Sequence, residues 1–92
     1  MAQSTILASG TTAASSTDIV VAAGDVVTVG IFSASSGDLL SSALAVQQVT
    51  PGALLTIGQL DSFTRSVQIS GPGTFKVARP VLTTAFGVFK DA

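Results

Sequence analysis

With 92 residues and neither cysteine nor histidine, the chain excludes a disulfide framework, a thiolate or imidazole metal site and the ordinary nucleophile–imidazole pair. A net charge of −1, from 4 basic and 5 acidic residues scattered singly, leaves nothing to hold a phosphate backbone. Only 10% of the residues are charged and 47% are hydrophobic, against about 25% charged in an ordinary soluble domain. One small domain of this composition is expected to expose apolar surface that an oligomer or a larger assembly covers.

Residues 1–16 are dominated by Ser, Thr, Ala and Gly, with Ile6-Leu7 as the only large apolar pair. Such a stretch cannot bury enough surface to order itself, so it reads as a flexible N-terminal arm with room for a short strand at Ser4–Ala8. A disordered tail and an arm anchored on a neighbouring subunit through Ile6 and Leu7 are both consistent with it. No Lys or Arg precedes an apolar core there, so no secretory leader is expected and the chain is expected to be made in a cytoplasm. The most apolar window, Ile19 to Phe32, is cut by Gly24-Asp25 and is shorter than the ~20 residues of a spanning helix.

Residues 17–92 read as one β domain. The β-branched run Thr17–Ala22, the turn Ala23-Gly24-Asp25 and the run Val26–Phe32 predict a first hairpin. Val27, Val29 and Ile31 share one face of the second run, while Val26, Thr28, Gly30 and Phe32 share the other. Both faces are largely apolar, as in a sandwich interior or in a strand with one face in the core and one at an interface. A polar loop, Ser33–Ser42, follows, long enough for one helical turn. Ala43–Thr50 and Ala53–Leu60 read as strands around a Pro51-Gly52 turn.

Val67 and Ile69, then Phe75 and Val77, alternate with polar neighbours on either side of Gly71-Pro72-Gly73, which predicts a second hairpin. Pro80 has no amide to donate and ends its second arm or places it at a sheet edge. The last strand covers Ala85–Lys90. Val29-Gly30-Ile31-Phe32 and Phe86-Gly87-Val88-Phe89 share one pattern, and the two segments are expected to pair or face each other. About seven short strands at roughly 8–12-residue spacing predict an all-β fold, a small β-sandwich or jelly-roll-like barrel.

For chemistry the residues offer little. No histidine or motif lysine activates a serine, and no two aspartates lie at the spacing of a calcium loop. Asp18, Asp25, Asp38 and Asp61 read as turn caps. No enzymatic activity, cofactor or metal is expected. The five phenylalanines, without Trp or Tyr, read as core residues, a poor basis for a sugar platform. Arg65, Lys76 and Arg79 lie on or beside the second hairpin, and Arg65 and Lys76 are expected on its solvent side. There they would either guard a sheet edge or dock an acidic partner.

The runs Val27–Phe32, Ile69–Pro80 and Gly87–Phe89 resemble those of small structural proteins encoded near the major capsid protein in tailed bacteriophages, a likeness that extends over Thr17 to Asp91. The resemblance implies a non-enzymatic capsid decoration or head-fibre component on the outside of the virion, binding the major capsid protein, often as a trimer, and without nucleic-acid or membrane partners. Ile6, Leu7, Arg65, Lys76 and Arg79 are then the expected contact residues. The alternative is an adhesive or carbohydrate-binding module, as in a tail fibre.

Overall fold

The computed structural model describes residues 3–35 and 37–91. Their strands are β1 (Gln3–Gly10), β2 (Ala14–Ser15), β3 (Ile19–Val21), β4 (Val26–Phe32), β5 (Leu44–Val49), β6 (Leu54–Leu60), β7 (Ser66–Ser70), β8 (Gly73–Arg79) and β9 (Phe86–Asp91). They form a β-sandwich of two antiparallel sheets. The first has the order β1-β9-β4-β7; in the second, β2 and β3 both pair with β8, followed by β5 and β6. No helix occurs among the described residues, and the Ser33–Ser42 loop has no helical turn in its described part.

The core is the layer between the sheets. Ile19, Val29, Leu44, Val46, Leu60, Val77, Phe86 and Val88 are fully buried there, and Phe75, Ile69 and Leu82 extend it. Each strand supplies one face, which is why period-two alternation is so plain in the chain.

Neither predicted hairpin is a paired one. β3 joins the second sheet through β8, while β4 joins the first through β7 and β9. Likewise β7 pairs with β4, and β8 pairs with β5. Both reversals are corners at which the chain passes from one sheet to the other. Alternation identifies an inward face, and a sandwich has two sheets that each need one, so the pattern alone does not say which sheet a strand joins. Gly24, at φ 84°, makes the first corner, and the cis Gly71-Pro72 bond lies in the second. The corners touch: the Gly71 amide donates to the Asp25 carbonyl at 3.0 Å. Among the described residues the one tight hairpin is β5–β6, turning at Pro51-Gly52, and β8 stops at Arg79, just before Pro80.

Residues 3–10 of the expected arm are a full strand. β1 pairs with β9 from Gln3↔Asp91 to Gly10↔Phe86, and Ile6 is buried in the core. An edge strand needs few inward side chains, because its backbone hydrogen bonds are blind to composition.

The repeated Gly-x-Phe segments do pair. In the β4–β9 register Gly30 lies opposite Phe89, and Phe32 opposite Gly87. Each ring lies across the neighbouring glycine: a Cβ on Gly30 would meet the tip of Phe89 at 2.6 Å, and one on Gly87 would meet the tip of Phe32 and, at 2.8 Å, the Leu7 carbonyl oxygen. Gly87→Ala is therefore expected to cost about 1–3 kcal/mol, because the ring can swing out but the backbone carbonyl cannot. Thermal unfolding followed by circular dichroism checks this, with an expected fall in Tm of roughly 4–8 °C per kcal/mol.

Candidate interaction surfaces

All five residues expected to meet a partner are buried or half-buried and engaged within the chain. Ile6 belongs to the core and Leu7 packs half-buried against it. Arg79 is only 5% exposed. Its Nε donates to the Thr12 carbonyl and its Nη1 to the carbonyls of Ala8 and Phe86, each at 2.8 Å. The guanidinium thus ties β1 and the segment after it to the start of β9, its charge met by carbonyl dipoles. Arg65 donates from Nη2 to the Asp38 carbonyl at 2.6 Å, and its guanidinium stands 5.9 Å from the centroid of the buried Phe86 ring. Lys76 faces outward on the second sheet and pairs with Asp18 at 3.4 Å. The basic face expected from Arg65 and Lys76 is not assembled.

The aspartates follow the expected chemistry in part. Asp61 Oδ1 accepts from the amides of Phe63 at 2.9 Å and Thr64 at 2.7 Å, a turn cap. Asp18 serves instead in the Lys76 pair. Among the described residues no group of three His, Cys, Asp or Glu side chains is placed to hold a metal ion.

Three other surfaces stand out. On the outer face of the first sheet, Phe32 and Phe89 with Gln3, Ser4 and Thr5 line an open cavity of about 290 Å³. At the end where β4, β6 and β8 finish, Phe63 is 98% exposed, with Leu39 and Val81 also in solvent. The three loops that carry them are tied together: the Leu40 amide donates to Ser62 Oγ at 2.8 Å, and the Thr83 amide to Ser41 Oγ at 3.2 Å. On the flank, Val49, Leu54, Leu55 and Ile57 of the β5–β6 hairpin are exposed. Only Phe75 and Phe86 of the five phenylalanines are core residues. Phe63 sits in the turn that Asp61 caps, its amide bound to the carboxylate, a local arrangement that hydrophobicity does not reveal.

No protein-family profile matches the chain, and neither a curated protein nor a solved structure matches it.

Proposed function

We propose that this chain is a non-enzymatic structural component of a tailed-phage virion, which binds the outside of the capsid through the major capsid protein and stabilises the shell. The observation that carries this reading is the apolar loop end. A phenylalanine that is 98% exposed, beside Leu39 and Val81, is the kind of aromatic anchor that dominates protein contacts once it is buried in a partner's pocket. The low charge of the whole chain supports it, as does the resemblance of its β-strand runs to small phage head proteins. With residues 3–10 taken up in β1, attachment falls to the loop end rather than to an arm.

The rival reading, an adhesive or carbohydrate-binding module, draws on the cavity beneath Gln3, Ser4 and Thr5. Saturable sugar binding there by the isolated protein would favour it.

Mass spectrometry of purified heads is expected to find the chain in a fixed ratio to the major capsid subunit. Phe63→Ser, which removes no buried contact, is expected to lower that ratio by about 10-fold or more while the isolated variant melts as the wild type does. Heads without the chain would overturn the proposal, and a Phe63→Ser chain that loads normally would remove the loop end as its contact.

A further inference from the structure

We infer that β6 is a pairing edge for a second copy of this chain, joining two sandwiches about a two-fold axis near Ile57, the middle residue of the strand. The inference rests on the reading of the chain as an assembly subunit and names a contact distinct from the loop end.

Five strands form the four sheet edges, and three of these edges are poor templates for pairing. β1 is broken twice in its register with β9. β2 and β3 are pieces of two and three residues, separated by a segment containing the ion-paired Asp18. β7 has five residues, of which Ser66, Gln68 and Ser70 are exposed. Register breaks, short pieces and charge are devices by which β-proteins prevent edge-to-edge association, and β7 offers only polar side chains outward.

β6 lacks them. It has seven residues, Leu-Leu-Thr-Ile-Gly-Gln-Leu, paired on one side only, with β5. Leu54, Leu55 and Ile57 are 46%, 52% and 51% exposed. The register identifies the faces: Leu54 lies opposite Val49 on the outer face, and Leu55 opposite Gln48 on the inward one, so apolar side chains stand on both sides of the open edge. Its one irregularity, at Ile57 between Thr56 and Gly58, sends a further apolar side chain into solvent.

Charge decides the occupant. No charged residue occurs from Leu39 to Leu60, so nothing steers a charged partner to this flank and nothing repels an identical one. An antiparallel strand pair is self-complementary about a two-fold axis. The geometry therefore gives a dimer, where the family resemblance implies a trimer.

Size decides the strength. Seven residues span about 23 Å at ~3.3 Å each, and the sandwich is 20 Å across its short dimension. Two copies meeting along this flank cover on the order of 900 Å² in total, in the range of transient contacts rather than permanent ones. The pair forms and dissociates with concentration.

Sedimentation velocity over a concentration series tests this. The wild type is expected to show a monomer–dimer equilibrium. Leu55→Lys and Thr56→Lys, each placing like charges across the axis, are expected to raise the dissociation constant by about 100-fold. Circular dichroism at low concentration selects the folded variants; Thr56 is exposed and tolerates the change if Leu55 does not. Val20→Lys, at an exposed site in β3 near the opposite edge, is expected to dimerise as the wild type does. A monomer at every concentration, a trimer, or lysine variants that associate normally would each overturn the inference. A monomer that still loads on heads overturns the pairing alone, whereas a β6-dependent dimer absent from heads overturns the virion reading alone.

Discussion

Gly71→Ala is expected to destabilise the fold by about 3 kcal/mol or more, a large share of the roughly 5–14 kcal/mol that a chain of this size holds. Gly71 sits where the chain leaves the first sheet for the second, and its amide donates to Asp25 of the other corner. A Cβ there would run into the Ala22 carbonyl and approach the Val21 carbonyl oxygen to 2.7 Å. Both obstacles are backbone, so neither can rotate aside as a side chain would. The corners must separate, and with them β3 and β4, which one corner holds on different sheets. Gly58→Ala is the matching control, since a Cβ there meets nothing within 4 Å, and it is expected to change stability by less than about 1 kcal/mol. Denaturant unfolding of the two variants measures the contrast. Equal stabilities would show that the corners do not hold the sheets in register.

Arg79→Met is expected to cost about 3–5 kcal/mol. The thioether fills much of the space but leaves the carbonyls of Thr12, Ala8 and Phe86 without the donors they now have. An acceptor shielded from water is costly to leave without a partner, and here one buried bond and two part-buried ones converge on one buried side chain. Arg79→Lys is expected to recover less than half of the loss, because one ammonium on a flexible stem cannot reproduce a planar fork that reaches two chain segments. Denaturant titration of both variants checks the order wild type, Lys, Met. A methionine variant within about 1 kcal/mol of the wild type would mean that water replaces the guanidinium at little cost.

The β-sandwich is legible in the chain because its sheets need one apolar face each, and Val27-Val29-Ile31 and Phe75-Val77 display that face directly. Parity also places the arginines. Arg79 follows Phe75 and Val77 at period two, and Arg65 precedes Val67 and Ile69 in the same way, so counting alone places both arginines on the inward side. Only Lys76 falls on the solvent side, where the structure has it. The Gly30–Phe89 and Phe32–Gly87 pairing was also legible, as two copies of one short pattern.

What was not legible depends on long-range geometry. Turn residues at Gly24 and Gly71-Pro72-Gly73 declare a reversal without saying whether the next strand stays in its sheet. The strand at Gln3–Gly10 takes its order from β9, almost the whole chain away. The exposed flank follows from the place of β6 at a sheet edge, since Leu54, Leu55 and Ile57 would be ordinary core residues in a central strand. Phe63 could have been suspected from the Asp-Ser-Phe-Thr turn, in which the aspartate caps the amides that follow it.

The central claim is that this chain works through its apolar surfaces, covered by its own kind and by a shell. Amide hydrogen exchange, compared between dilute isolated protein and protein in its native particle, tests it most directly. Slower exchange is predicted over Leu54–Leu60 and over residues 61–65 in the particle, with the core strands β4 and β9 unchanged. Exchange on both segments as fast in the particle as in dilute solution would contradict the account.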